Sequence, residues 1–183
     1  SETDLDDSDH FLPRSSAAAL LEFSAAQLER PDFGVQLARM QGSHVLGVVT
    51  FAVRNAPDWG GAIAVISKHV HHHSPMAAIT IEPSNAAHDQ RIVFRYPEAK
   101  TAVQLTEHAL GLFCRIGGHL TGGRHRPTRV TFAHLPASSA DVYREHFGVS
   151  PEFGARDDAV TRVGRCGRRV GEGIVTDGNA DAA

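Results

Sequence analysis

The sequence predicts an α+β domain: N-terminal helices, then an antiparallel sheet built in the order hairpin, long helix, strand, helix, strand, with helices packed on it. Residues 101–120 carry apolar side chains at the 3.6-residue spacing of a helix, and the segments on either side alternate with the two-residue period of strands. Prolines and glycines interrupt a helical pattern in the first third of the chain. The apolar stripe of the long helix consists of Leu105, Ala109, Leu112, Phe113, Ile116 and Leu120.

Capping residues mark both ends of this long helix. Thr101 and Gln104 form a capping box, in which each side chain bonds a backbone N–H that the first turn leaves unpaired. Gly117 and Gly118 are predicted to end the helix, because glycine readily adopts the positive φ of a helix C-terminus. We expect this helix to be the core element against which any ligand site is built.

Two short helices are predicted near the N-terminus. The first covers residues 15–28, with Ser15 or Ser16 as its N-cap. Pro31 ends it, and the second covers residues 33–40 with Asp32 as its N-cap.

The next apolar segment, residues 46–53, fits a buried strand as well as a helix. We choose the helix, because residues 58–72 are plainly helical and follow directly. The three residues between the two segments, Asn55 to Pro57, can join them as a compact helical hairpin.

The sheet is predicted from four alternating segments. Residues 77–82 and 90–96 form an antiparallel hairpin, and residues 129–134 form a third strand after the long helix. Residues 138–147 form a short helix capped by a serine or aspartate, and residues 150–153 can add a fourth strand. The side chains expected to face the core are Ile79, Ile81, Ile92, Phe94, Tyr96, Val130 and Phe132.

Composition limits the classes of protein to which the chain can belong. The formal net charge of −3 over 183 residues disfavours capture of nucleic acid by the whole surface. The longest apolar run, residues 45–53, is far shorter than the ~20 residues that cross a bilayer. Two cysteines, Cys114 and Cys166, do not make a disulfide framework. We therefore expect a soluble, reduced, cytoplasmic domain that does not bind membranes.

The two ends of the chain differ from its middle. Residues 1–11 are rich in acids and predict a flexible arm, whereas residues 12–160 carry the periodic pattern of one folded domain. Residues 161–183 combine arginines with glycines and lose this periodicity, which predicts a disordered tail rather than a basic nucleic-acid-binding one.

A histidine run gives the sequence its strongest suggestion of a metal site. His69 and His73 are one helical turn apart, and His72 lies on the same side, so the three could grip a transition metal. A closed zinc site needs four ligands, and no paired cysteine or nearby carboxylate completes the set. The run also falls at a helix C-terminus, where imidazoles interact well with the helix dipole, or it could contact an effector. We favour capping and expect no metal.

No motif nominates a catalytic residue or a cofactor. The glycine-rich stretch of residues 117–124 has the composition of a phosphate cradle, but it follows a helix, whereas a cradle precedes one. The hydrolase motif G-x-S-x-G, the metalloprotease motif H-E-x-x-H and the redox motif C-x-x-C are all absent. We therefore expect neither an enzyme nor a cofactor.

Three segments together resemble the N-terminal arabinose-binding-type sensor domain of AraC-family transcriptional regulators. They are residues 20–38, with LLE and RPDFGVQLA; residues 46–74, with LG and APD; and residues 143–155, with YREHFG and PEFGA. The three occur in the family's order and spacing across roughly residues 12–160. After residue 153 the family's pattern FGAxxNALxF is replaced by FGARDDAV, and the similarity ends.

The resemblance implies a regulatory domain that binds a small, largely apolar effector and forms a homodimer. It also implies that DNA is bound only through a C-terminal domain with two helix-turn-helix motifs, which this sequence does not contain. A sheet covered by helices can enclose a cavity. We expect the effector to lie beside Tyr96, His108, Phe113 and His73.

Two other functions compete with this interpretation. A small enzyme of unrecognised type would need a titratable cluster in a cleft, for example His73, His108 and Asp89. A domain that only associates with partners would need no ligand. An enclosed cavity lined by the long helix favours a sensor, and strongly shifted titratable groups converging in it favour an enzyme.

Overall fold

A computed structural model describes residues 13–73, 78–83, 89–95, 102–123 and 126–163. Along the chain, helices precede and follow a β-hairpin, and the last described strand joins the same sheet as the hairpin. The elements in chain order are α1 (Arg14–Gln27), α2 (Phe33–Met40), a 3-10 turn (Ser43–Leu46), α3 (Val49–Arg54), α4 (Trp59–His73), β1 (Ala78–Pro83), β2 (Asp89–Arg95), α5 (Val103–Leu120), β3 (Arg129–Thr131), α6 (Ala140–Phe147) and β4 (Asp158–Val163).

The sheet is antiparallel throughout its four described strands, in the order β1-β2-β4-β3. Ile92 of β2 pairs with Val160 of β4, which pairs in turn with Val130 of β3. All three side chains are buried, so one row of apolar residues crosses the sheet beneath the helices. The α+β class and the order hairpin, long helix, strand, helix, strand are confirmed.

Helix α5 is the central element of the domain, as the sequence predicts. It packs against α1, α2 and α6 and also against β4. The ring of Phe113 lies 5.6 Å from that of Trp59 and 5.2 Å from that of Phe94, which joins α5 to α4 and to the sheet. Burial extends beyond the predicted stripe, because Thr106 and Glu107 are fully buried while Leu105 and Ala109 are only partly so.

The predicted N-terminal helices are confirmed within a few residues. The ambiguous segment at residues 46–53 is helical, with the 3-10 turn leading into α3, so the choice of helix over strand is right. Val53 is fully buried and Phe51 is mostly exposed, so this helix has one inner side. No helix among the described residues has both the length and the apolar character needed to cross a membrane.

The fourth strand is not where the sequence placed it. Residues 150–153 contribute only an isolated bridge between Glu152 and Thr131. The chain then turns at Gly154, whose φ is 70°, and the strand is β4. The pattern was hidden because two charged residues, Asp158 and Arg162, are buried in this strand. The guanidinium of Arg162 stacks on the ring of Trp59 at 4.9 Å, which offsets part of the cost of burying a charge.

Gly117 and Gly118 do not end α5, which continues to Leu120. The positive φ values fall on Gly122 and Gly123 instead, at 60° and 74°. Gly117 is required for packing, because a Cβ at this position would lie 2.8 Å from the ring of Trp59.

The predicted N-caps make no capping hydrogen bonds through their own side chains. The N-cap of α1 is Pro13 rather than a serine, and the side chains of Asp32 and Ser139 leave α2 and α6 uncapped. Asp32 instead accepts hydrogen bonds from the side chains of Arg30 and Gln36. For α2, the missing hydrogen bond in the first turn comes from a residue that is distant in sequence.

Gln104, in the first turn of α5, makes the long-range hydrogen bonds near the starts of α2 and α5. Its Oε1 accepts a hydrogen bond from the backbone N–H of Gly34 at 2.7 Å, and its Nε2 donates to the carbonyl of Pro31 at 2.9 Å. The backbone N–H of Gln104 donates in turn to Glu22 of α1 at 2.8 Å. The predicted capping box is therefore wrong for Gln104, and Thr101 lies outside the described residues. One side chain caps α2 and fastens it to α5.

Two glycines allow α2 and α5 to approach closely. A Cβ on Gly34 would collide with the backbone of Gln104, and a Cβ on Gly111 would lie 3.0 Å from that of Ala38. Gly34 and Ala38 are one turn apart on α2, so they form a continuous strip of small residues against α5.

Gly34→Ala is expected to destabilise the domain by about 3 kcal/mol or more, because the obstructing atoms are backbone and one helix must move. Gly118→Ala is the control: its Cβ would meet open space, so the variant should gain about 0.5–1 kcal/mol from helix propensity. Urea unfolding followed by circular dichroism measures both changes. Equal stabilities of the two variants would contradict the close approach of α2 and α5.

Candidate functional site

A pocket of about 480 Å³ lies where the second half of α5 meets α6 and the loop before β3. Its volume falls within the range of small-molecule sites in proteins, roughly 300–1,000 Å³. The residues that line it are Arg39, Cys114, Arg115, Gly118, Gly123, Arg126, Pro127, Glu145, His146, Phe147 and Gly148.

Three glycines shape the wall of this pocket. Gly118 leaves open space where a Cβ would stand. Gly123 turns the chain away from α5, and Gly148 ends α6 in the left-handed conformation with a φ of 75°. Between them, Pro127 and the buried ring of Phe147 supply apolar surface. The pocket therefore has both polar and apolar lining residues, and its charged lining residues, Arg39, Arg115, Arg126 and Glu145, are here called the rim.

The rim is positively charged. Arg39, Arg115 and Arg126 line it together with one acid, Glu145. Glu145 is mostly exposed and pairs with Arg39 at 3.3 Å. Arg115 uses its Nε to donate to the carbonyl of Gln41 at 2.8 Å. Within the described part of the chain, no carboxylate pairs with Arg115 or Arg126.

His146 contributes no charge to this rim at neutral pH. Burial lowers the pKa of its imidazole to about 4, and the charges of Arg39 and Arg115 act in the same direction, while the backbone of Gly111 opposes them. The Nε of Arg39 lies 3.3 Å from the Nδ1 of His146. Because a guanidinium only donates, Nδ1 is the acceptor and the proton of the neutral ring sits on Nε2.

The one cysteine among the described side chains belongs to the same pocket. Burial raises the pKa of the Cys114 thiol to about 12, even though the charge of Arg162 works against that shift. The thiol is therefore protonated and a poor nucleophile.

A second group of titratable residues lies inside the core. Tyr143 donates a hydrogen bond to the Oε1 of Glu107 at 2.6 Å, and its hydroxyl oxygen accepts from the backbone N–H groups of Ala137 and Ser138, each at 3.0 Å. The Nε2 of His134 lies 4.0 Å from the same carboxyl oxygen. This network fastens the loop before α6 to the centre of α5.

Burial raises the pKa of Glu107 to about 7, the hydrogen bond from Tyr143 opposes the shift, and the charges of Glu22 and Asp32 add to it. Burial also raises the pKa of Tyr143, and its bond to Glu107 acts in the same direction. Glu107 and Tyr143 are fully buried, and neither lines the pocket. The network has the shifted groups of a catalytic site but no access for a substrate.

Comparison with known proteins decides the family. A family model described as the arabinose-binding domain of AraC transcription regulators, N-terminal, matches residues 1–164. The chain belongs to this family. The resemblance inferred from the three sequence segments is thereby confirmed.

Curated relatives of this AraC-type domain are transcription regulators. The helix-turn-helix-type transcriptional regulator VirS of Mycobacterium tuberculosis, in strain H37Rv and in strain CDC 1551 / Oshkosh, is 31% identical over 148 residues. That match covers 80% of this chain and 44% of VirS, so the chain spans less than half the length of these relatives.

A solved structure shares the fold. The crystal structure of the transcriptional regulator CdpR from Pseudomonas aeruginosa superposes with a TM-score of 0.64 at 17% sequence identity. The match covers 84% of this chain and 50% of that chain, and it supports the architecture alone.

Two of the four predicted effector residues, Phe113 and His108, are among the described side chains of this AraC-type domain. Phe113 packs between Trp59 and Phe94 in the core. His108, also on α5, contacts the side chain of Gln41 after α2, with 2.6 Å between its Nε2 and the amide oxygen. Tyr96 and the side chain of His73 lie outside the described residues, so the set as a whole stays a prediction.

The histidine run is placed only in part. It lies at the end of α4, as the sequence predicts, but the side chains of His72 and His73 are outside those described. Among the described side chains, no three His, Cys, Asp or Glu residues come together as a metal site. The choice between metal binding and helix capping by His69, His72 and His73 stays a prediction.

The residues of the pocket were missed because they come from four separate segments. One signal was present in the sequence: the glycine-rich stretch of residues 117–124 has the composition of a phosphate cradle. Gly118 and Gly123 of this stretch, followed by Arg126, line the pocket. The stretch is not a cradle at a helix N-terminus, but its composition marked the right place.

Glu107→Gln is expected to remove a pH dependence of folding. Between its ordinary pKa of 4.5 and the folded value of about 7, Glu107 keeps a proton in the folded chain that the unfolded chain has released. The free energy of unfolding therefore falls as pH rises through this range, by about 3 kcal/mol in total. In the variant this loss is absent, and the amide oxygen still accepts from Tyr143.

Urea unfolding at several pH values gives the difference in unfolding free energy between parent and variant. The contributions of the other titrating groups cancel in this difference. Glu145→Gln, at an exposed position of α6, serves as the control and should leave the pH dependence of the parent. If the difference in unfolding free energy between the parent and Glu107→Gln did not change with pH, the raised pKa of the buried Glu107 carboxyl would be contradicted.

Proposed function

We propose that this chain is the effector-sensing domain of an AraC-type transcription regulator and that the pocket between α5 and α6 takes the effector. The observation that carries the proposal is the pocket itself, which combines the volume of a small-molecule site with a lining of charged and apolar residues. Family membership supports a regulatory role, and the pocket supports a ligand.

The lining of the pocket bears on the class of effector. The sequence favoured a largely apolar molecule, but three arginines line this pocket. Its apolar lining residues include Pro127 and Phe147, which suit the apolar part of a ligand, and its charged rim suits a polar part. An amphipathic small molecule therefore fits better than a purely apolar one.

Self-association and DNA binding complete the proposed role. Three large apolar side chains of α1 and its C-cap, Leu20, Phe23 and Leu28, are more than half exposed, which supports burial against a second copy of this chain. The net charge of −3 supports DNA contact through a separate helix-turn-helix domain, such as the type named in the VirS relatives, rather than through this one.

The enzymatic alternative receives less support. The proposed cluster would have required His108 beside Asp89, but His108 is engaged with Gln41. Of the strongly shifted groups, Glu107 is closed off from solvent, and the two that line the pocket, His146 and Cys114, are uncharged at neutral pH. The family is one of transcription regulators, which also favours sensing over catalysis.

Native mass spectrometry tests binding and stoichiometry together. The parent chain, incubated with a metabolite extract, is expected to form a dimer that carries a small-molecule adduct. Gly118→Leu should lose the adduct and keep the dimer, because Gly118 lines the pocket and a Cβ at this residue has no protein atom within 4 Å, so the new side chain begins in open space.

Ala140→Leu is the matched control, since it adds the same side chain at an exposed position of α6 outside the pocket. This variant should retain the adduct. The proposal fails if the parent carries no adduct, or if Gly118→Leu retains it as well as the parent does.

A further inference from the structure

We propose that the effector pocket selects a small organic anion, and that Arg115 and Arg126 hold its carboxylate or phosphate group. The proposal deepens the proposed function and rests on it, because it names the chemistry of the molecule that the same pocket takes. It is carried by the charge balance of the pocket rim, where three guanidiniums stand with one carboxylate.

The single acid at the rim does not neutralise this charge. Glu145 is 73% exposed at its side chain and reaches only Arg39. Exposed ion pairs of this kind are weak, so an incoming anion can compete with it. In this contact the guanidinium of Arg39 donates to a carboxylate oxygen, as it would to an anionic ligand.

Arg115 is held ready for a ligand by its own backbone contact. Its Nε donates to the carbonyl of Gln41 at 2.8 Å, which fixes the direction of the guanidinium and leaves the two terminal nitrogens for another acceptor. A guanidinium held in this way loses less side-chain entropy when it binds an anion in the two-pronged geometry that carboxylate and phosphate share.

The neutral groups of the pocket set the rest of the preference. His146 is uncharged at neutral pH, and the hydrogen bond from Arg39 to its Nδ1 holds that guanidinium at the rim. Pro127 and Phe147 are among the apolar residues of the same lining. A ligand with an anionic head and a small apolar body matches this combination.

Side-chain NMR of the arginine Nε–H groups tests the proposal with three probes of similar shape: benzoate, phenyl phosphate and the neutral benzamide. The two anions are expected to shift the resonances of Arg115 and Arg126, and benzamide is expected to leave them in place. Arg115→Gln and Arg126→Gln should each weaken anion binding about tenfold, the loss expected from one charge-assisted hydrogen bond.

Arg129→Gln is the control for net charge, because Arg129 lies outside the pocket, paired with Glu152 at 2.6 Å. This variant should bind the anions as the parent does. A preference for benzoate or for phenyl phosphate distinguishes a carboxylate effector from a phosphate ester.

The possible failures separate the two proposals. If benzamide shifts the pocket resonances as strongly as the anions do, and Gly118→Leu abolishes that shift, the pocket binds ligands but does not select anions, so this inference falls and the proposed function stands. If none of the probes shifts the arginine resonances, or if the anions bind the arginine variants as tightly as the parent, the anion site is refuted. If the metabolite adduct is absent as well, the proposed function falls with it.

Discussion

The domain depends on the close contact between α2 and α5. Gly34 lies against the backbone of Gln104, and the side chain of Gln104 caps the first turn of α2. A short helix with an unpaired first turn is marginal by itself, since most of its stability must come from packing. The contact supplies both the packing and the missing hydrogen bond. Glu22 extends it to α1, so three helices share one junction.

This contact also fixes the geometry of the pocket. Ala38 packs against Gly111 one turn beyond Gly34, so α2 cannot slide along α5. The next residue, Arg39, is therefore held at the pocket rim, where it meets His146 and Glu145 of α6. A change at the α2–α5 junction is therefore expected to alter the contacts of Arg39 with His146 and Glu145.

Much of the fold could be predicted from the sequence because apolar periodicity reports burial directly. Residues 46–53 fit a strand as well as a helix, and their helix is predicted only from the helical segment that follows them. The long helix and the hairpin do follow from apolar periodicity. Strand β4 does not, because Asp158 and Arg162 are buried through partners that the sequence cannot show: the backbone N–H of Ala133 and the ring of Trp59. The pocket could not be predicted from the sequence for the same reason, since its arginines come from segments that meet only in three dimensions.

Hydrogen exchange at the Gly34 amide tests the central contact most directly. This amide lies in the first turn of a short helix, where exchange is normally fast, but its bond to Gln104 should slow exchange until it approaches the rate set by global unfolding. Asp141 of α6, in the first turn of a helix without a side-chain cap, is the reference and should exchange quickly. Equal, fast exchange at the two amides would contradict the account.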